Sequence, residues 1–185
     1  IFTCSMADLF HEQGPDEVLD RVFAAMALTP RHTYQVLTKR AERMRAYVLS
    51  WITAERGDGT WRDPLPNVWL GVSAEDQERF EERVGYLSAI PAALRFVSLA
   101  PLLGPIHISP YLSRFVGRID PTEPEYGGTA IMVKNVDWVI AGGESGPNAR
   151  LCDPDWLRSL RDQCAAAGVP FFLKQIGGRG VGKRA

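Results

Sequence analysis

The chain reads as an α/β fold, a partial (β/α) barrel of about six parallel strands, and three observations in its 185 residues predict it. First, six apolar runs, Ile1–Ser5, Tyr34–Thr38, Val68–Ser73, Arg95–Leu99, Asp137–Ala141 and Pro170–Lys174, are near-continuous rather than alternating in polarity. Strands buried on both faces of a parallel sheet have that pattern. Second, the runs lead into polar or glycine-bearing tips and helical patterns, the order that lays strands side by side through helical crossovers. Third, the runs start near 1, 34, 68, 95, 137 and 170, separations of 33, 34, 27, 42 and 33 residues. A complete barrel needs eight units and about 250 residues. Six units therefore make a partial barrel, or a complete one with its beginning and end removed, and a doubly wound open sheet is the rival arrangement.

The elements follow in order. Ile1-Phe2-Thr3-Cys4 opens the chain inside a strand and without Met, so a longer protein, truncated here at its N-terminus, is expected. Gly14-Pro15-Asp16 makes a turn and helix start, and Val18, Val22, Phe23 and Met26 share one helical face before Pro30. Thr38-Lys39-Arg40 leads into a helix carrying Met44, Tyr47, Val48 and Trp51, with Thr38 as its N-cap. Residues 57–66 are a loop by composition. Ser73-x-x-Asp76 has the form of a capping box opening a charged helix through Leu87, and Pro91 closes that unit. After Pro101-Leu102-Leu103-Gly104-Pro105, residues 109–135 read as an irregular insertion, given Pro110, Pro121, Pro124, Gly127 and Gly128. Asp153-Pro154-Asp155 caps a last helix to about Ala167, with Pro at its first position, and Gly168 ends it. At 45% hydrophobic content, residues 1–185 suit a single domain with one substantial core.

Charge and cysteine usage narrow the classes. Lys+Arg 21 against Asp+Glu 22 gives a formal net charge of −1, which excludes a global attraction to nucleic acid or anionic membrane but not a local basic rim. No apolar run approaches the roughly 18 to 20 residues that span a bilayer. No signal-peptide pattern opens the chain, so no membrane partner and a cytoplasmic location are expected. Cys4, Cys152 and Cys164 are odd in number and lack metal-ligand spacing, which suits a reducing compartment.

Ligands in such folds bind where the strands end. The tips read Cys4-Ser5-Met6-Ala7-Asp8, Thr38-Lys39-Arg40, Ser73-Ala74-Glu75-Asp76, Ser98-Leu99-Ala100-Pro101, Gly142-Gly143-Glu144-Ser145-Gly146 and Lys174-Gln175. One rim thus collects hydroxyls, carboxylates, two lysines and glycines, the makings of a polar-ligand pocket. Gly142 and Gly143 let a ligand approach the backbone, or serve a tight turn of positive φ. Glu144 suits a ribose hydroxyl, an amine or proton transfer. Lys39 and Arg40 suit a carboxylate or phosphate, or simply a solvated helix start. Asp8, His11 and Glu12 resemble a loose metal cluster, but adjacent residues point apart on a helix, and hydrogen bonding by Asp8 is the better reading. No metal ligand is assigned. The tail Gly177-x-x-x-x-Gly182-Lys183 imitates a phosphate-binding loop yet has Arg184 where magnesium needs Ser or Thr. Gly143-Glu144-Ser145-Gly146 lacks the spacing of a nucleophile elbow.

The segments IFTCSMADLFHE, TYQVLTKRAERM, LPNVWLGVSAEDQ, RFVSLAPLLGPI, DWVIAGGESGPNAR and LRDQCAAAGVPFFLKQIGG resemble, in order and over nearly the whole chain, the phage-derived gp-thirty-seven/gp-sixty-eight family, a domain of unknown function. That family is similar to radical S-adenosylmethionine enzymes, with a three-cysteine motif after the first strand. The resemblance implies a barrel whose four-iron, four-sulfur cluster is held by thiolates in a segment upstream of Ile1, with S-adenosylmethionine on the open iron. No cluster or metal is then expected in this chain. By position it implies Ser5, Asp8, Lys39, Ser73, Gly142, Gly143, Glu144 and Lys174 as cofactor-binding candidates. One departure stands out: Ala100 occupies the position before Pro-Leu-Leu-Gly-Pro where the resemblance expects a carboxylate.

The leading expectation is a radical-SAM-like enzyme acting on an unknown substrate. The alternative is a non-catalytic barrel that binds a ligand or protein and lacks the cluster. A cluster-free hydrolase or isomerase using Asp8, Glu144 and Lys39 is a third. Nucleic acid is a candidate substrate, since Lys39, Arg40, Arg43, Arg45 and the Arg179–Arg184 tail suit phosphates. Oligomeric state is not legible.

Overall fold

The computed structural model describes residues 1–4, 6–54, 63–112, 114–117, 130–133 and 135–177. Its main sheet has six strands, β1 (Phe2–Thr3), β2 (Tyr34–Thr38), β3 (Val68–Ser73), β4 (Leu94–Leu99), β7 (Trp138–Gly142) and β8 (Phe171–Gln175), in that spatial order. Every neighbouring pair is parallel and the sheet curls into a half-barrel. The expected partial (β/α) barrel is the fold observed. Helices α1 (Asp16–Leu28), α2 (Ala41–Thr53), α3 (Gln77–Ser88) and α5 (Pro154–Ala167) make the crossovers. Between β4 and β7 lie a one-turn helix α4 (Ser109–Leu112) and an antiparallel pair, β5 (Arg114–Gly117) with β6 (Ala130–Val133). These ordered pieces fall within the stretch whose prolines and glycines suggest irregular backbone.

Strand alternation sorts the sheet into two faces. Val36, Leu70, Val72, Val97, Leu99, Val139 and Ala141 share one buried cluster with Phe23, Met44, Phe80, Val84, Leu87, Leu157, Leu160 and Cys164 of the helices. The main core is therefore on the convex side, where each fully buried Phe or Leu contributes roughly 1.5–3 kcal/mol. The register puts the intervening residues on the concave face in tiers. Phe2, Gln35, Trp69 and Leu94 form the lowest; Leu37, Gly71, Phe96 and Trp138 the next; Ser73, Ser98, Ile140 and Phe172 the uppermost. Phe96 is fully buried yet lies outside the main cluster, because its ring occupies the space over Gly71. A Cβ on Gly71 would fall 2.5 Å from that ring, so only glycine fits beneath it. Trp138 stands 5.8 Å from Phe96, 6.1 Å from Trp69 and 6.5 Å from Phe172 between ring centroids, in tilted and edge-to-face arrangements favoured by the ring quadrupoles.

The helix ends show where local reading and structure part. Asp153 caps α5 by accepting from the Asp155 N–H at 2.8 Å, Pro154 opens the helix, and Gly168 closes it at φ 62°, as expected from these residue types. For α3 the cap is Asp76, whose Oδ1 accepts from the Arg79 N–H at 2.9 Å. The Ser73 capping box does not form, because Ser73 remains in β3 and faces the concavity. Thr38 likewise ends β2, and its hydroxyl accepts from the Arg40 N–H at 2.8 Å while Arg40 takes the N-cap position of α2. The first strand stops at Thr3, since Cys4 turns out of it at φ 56°. No helix among the described residues is long and apolar enough to cross a membrane.

Candidate functional site

The C-terminal tips of the parallel strands form one rim, and three ionic groups occupy it. The first centres on Asp8, which follows β1. Its Oδ1 accepts from Thr38 Oγ1 at 2.7 Å and from the Phe10 N–H at 2.9 Å; its Oδ2 accepts from the Lys39 N–H and from Arg40 Nη1, each at 3.1 Å. Burial alone would push the Asp8 carboxyl up in pKa, but the hydrogen bonds from Thr38, Lys39, Phe10 and Arg40 outweigh it and hold the group below its ordinary value. Arg40 also reaches Glu12 at 3.2 Å. Asp8 thus ties β1 to β2, the hydrogen-bonding role favoured for it over metal binding.

The second group joins β2 to β3. Lys39 Nζ stands 3.4 Å from Glu75 Oε1, while Arg83 Nη1 sits 3.2 Å from Glu75 Oε2 and donates to the Ser73 carbonyl at 2.6 Å. Lys39 and Glu75 lie just past the ends of β2 and β3, on the strand-tip rim. The Lys39 side chain is about half exposed and that of Glu75 more covered, so the ammonium remains open to solvent at the mouth. Lys39, Arg40 and Arg83 also border a cleft of about 270 Å³ between the start of α2 and the middle of α3.

The third group is at β7. Glu144 receives Arg150 through Nε at 2.8 Å, Nη2 at 3.1 Å and the backbone N–H at 3.0 Å. The Arg150 side chain first and its N–H second, against a smaller opposing effect of burial, lower the Glu144 pKa to about 2. No contact among the described residues joins Lys39 to Glu144; each is held by its own partner.

The double glycine has a different explanation from either one expected. Neither Gly142 nor Gly143 has positive φ. A Cβ on Gly143 would lie 2.1 Å from the Ile176 carbonyl oxygen, and one on Gly142 would lie 2.9 Å from that of Gln175. The backbone brought close is this chain's own β8 end, fixed by the Gly143 N–H donating to Gln175 O and Gln175 Nε2 donating to Gly143 O, each at 2.9 Å. Lys174 lies on β8 and is exposed. Ser5 and the Arg179–Arg184 tail, with its loop-like glycines, lie outside the described residues. Ala100 follows β4 at a cis peptide to Pro101 and brings no charge to the rim.

Glu75 and Ser98 stand in the tips read from the sequence without being named as cofactor-binding candidates, and Trp138 is absent from those tips. Glu75 lies two residues past the end of β3, and register with Ser73 and Phe96 reaches Ser98 and Trp138.

The described thiols do not fit a three-thiolate iron–sulfur site. Cys4 is exposed at the β1 tip, whereas Cys152 and Cys164 are buried around β7 and α5. Burial pushes Cys164 up to about 11, and burial with the nearby Asp153 charge raises Cys152, so both favour the thiol over the ligating thiolate. Among the described residues no cluster of three His, Cys, Asp or Glu is placed to hold a metal.

No curated protein and no solved structure matches this chain. A family described only as a protein of unknown function (DUF5131) matches residues 1–184, and the chain belongs to that family.

Proposed function

We propose that the half-barrel binds S-adenosylmethionine at its concave mouth, as part of a radical-SAM-like enzyme. The observation that carries this reading is the Lys39–Glu75 pair, an ammonium and a carboxylate 3.4 Å apart on the strand-tip rim. A zwitterionic amino-acid end is complementary to such a pair. Lys39 would take its carboxylate and Glu75 its ammonium, exchanging one internal ion pair for two charge-assisted contacts. Arg83, 3.2 Å from the other carboxylate oxygen, keeps Glu75 oriented during that exchange. S-adenosylmethionine supplies the sulfonium–carbon bond that this enzyme class breaks. The chain's part is to bind and orient the amino-acid end and to exclude water with the aromatic tiers. The described residues furnish no cluster ligands, so electron delivery is not assigned to them.

Titration calorimetry of S-adenosylmethionine into the full protein tests the reading. Saturable binding that weakens about tenfold or more in Lys39→Ala and in Glu75→Gln is expected, as loss of a charge-assisted contact costs roughly 1.5–3 kcal/mol. Absence of binding, or binding indifferent to both changes, overturns it. The second reading, a non-catalytic protein-binding barrel, is favoured by the exposed apolar residues Phe172, Leu173 and Ile176 along and just beyond β8. It stands in place of the first if S-adenosylmethionine does not bind.

A further inference from the structure

The uppermost tier of the concave face contains two hydroxyls with no protein partner among the described residues. Ser73 and Ser98 are register partners across the β3–β4 ladder and are only 7% and 8% exposed. Their backbone carbonyls accept from Arg83 and from the Ala74 N–H, but neither side-chain hydroxyl has a hydrogen-bond partner among the described residues. Neither oxygen is a fully buried, unsatisfied atom, so both stay open to the concavity, and two side by side on the face that already carries the aromatic wall suit a group that arrives with matching polar atoms.

The surroundings define that group. In the same tier stand Ile140 and Phe172, and Trp138 lies one tier below, half-buried and backed by Phe96. Flat apolar walls suit a flat ring. None of these residues is charged, and Lys39 and Glu75 on the rim already pair with each other. Adjacent strands place the two hydroxyls roughly 5 Å apart, a spacing that meets two polar atoms on one ring edge. Each hydroxyl both donates and accepts, so it can meet a carbonyl, a ring nitrogen or an amino group.

We propose that Ser73, Ser98, Trp138, Ile140 and Phe172 form a subsite for the nucleobase of a substrate nucleoside or nucleotide. The ring would lie against Trp138 and Phe172 with its polar edge on the two hydroxyls. This deepens the reading of the concave face as a binding site and rests on it. The subsite runs from β3 and β4 toward β8, whereas the Lys39–Glu75 pair assigned to the cofactor's amino-acid end spans β2 and β3.

The test uses the full protein with adenosine and thymidine as probes, read by tryptophan fluorescence, first alone and then with saturating S-adenosylmethionine. Saturable quenching by at least one nucleoside is expected, largely lost in Trp138→Leu. The double variant Ser73→Ala/Ser98→Ala should bind at least tenfold more weakly while its melting temperature stays level, since neither hydroxyl bonds another described part of the protein. Binding should persist beside S-adenosylmethionine. No saturable quenching, unchanged affinity in the double serine variant, or competitive displacement by S-adenosylmethionine overturns the subsite; displacement would give the ring site to the cofactor's adenine. If nucleosides bind and S-adenosylmethionine does not, the cofactor reading falls while the subsite stands. The reverse result leaves the cofactor reading intact.

Discussion

Thr38 donates its hydroxyl to Asp8 across the β1–β2 junction at 2.7 Å, while the same oxygen accepts the Arg40 N–H at 2.8 Å. One side chain thus fixes both the loop after β1 and the entry to α2. The hydroxyl is needed in both directions, so Thr38→Val removes two bonds without changing side-chain shape. We expect it to cost about 1–3 kcal/mol in chemical denaturation and to raise the Asp8 pKa by removing the strongest of the bonds that lower it.

Asp8→Asn tests the same junction through pH. The folded Asp8 carboxyl lies below its ordinary value, so its contribution is present above the unfolded carboxyl range and is lost as pH falls through the lowered folded value. The stability difference between wild type and Asp8→Asn should therefore be largest near neutral pH, about 2 kcal/mol for a mostly covered charged group. It should shrink toward zero between roughly pH 5 and pH 2. A difference that is flat over that range would mean that Asp8 contributes through shape and not charge.

Gly143→Ala should destabilise by about 1–3 kcal/mol as an overpacked position. Its Cβ would press on the backbone oxygen of Ile176 at 2.1 Å, and a backbone group cannot swing aside as a flexible side chain does. Amide exchange should localise the loss to β8 and the adjoining end of β7. If exchange in β8 is unchanged and only ligand binding falls, the glycine serves a ligand after all.

The strands were legible because burial on both faces leaves an unbroken apolar run, and five of the six appear within one residue at each end. The first shortens because of the backbone turn at Cys4, which no composition announces. The rim was legible as a set of residues but not as a set of bonds. Lys39 finds Glu75, 36 residues away, only because β2 and β3 are neighbours in register. Arg150 sits in a loop with no periodic signal, so its clasp on Glu144 is invisible in sequence. The glycines at 142 and 143 were read against a ligand or a turn because the segment that presses on them lies more than thirty residues later. Concave-face chemistry was the most recoverable omission, since it needs only a count by two along β3 and β4.

Two alanine substitutions separate a cap from a ligand contact at the start of α3. Asp76→Ala should cost about 1 kcal/mol in melts or denaturation, because Asp76 accepts the Arg79 N–H and helps satisfy the first turn of α3. Ser73→Ala should leave stability nearly unchanged, since its hydroxyl bonds nothing among the described residues. The opposite ranking would restore Ser73 as the helix cap.

Glu144 offers a prediction read directly by titration. With Arg150 bound through its side chain and its backbone N–H, the carboxyl should titrate near 2, observable by carboxyl-carbon nuclear magnetic resonance. Arg150→Ala removes the side-chain bonds but keeps the residue's N–H, so the pKa should climb most of the way back toward an ordinary glutamate and stop short of it. The sign for stability follows from the lowering: the pair's contribution is present above the unfolded glutamate range and lost as pH falls toward 2. That contribution should be small, because both side chains are well exposed and water screens the pair. Binding separates the roles. Calorimetry with S-adenosylmethionine on Glu144→Gln should show weakened binding if the carboxylate turns from Arg150 to a ligand. Unchanged binding together with a normal melt would leave Glu144 and Arg150 as a surface clasp that shapes the loop after β7 and nothing more.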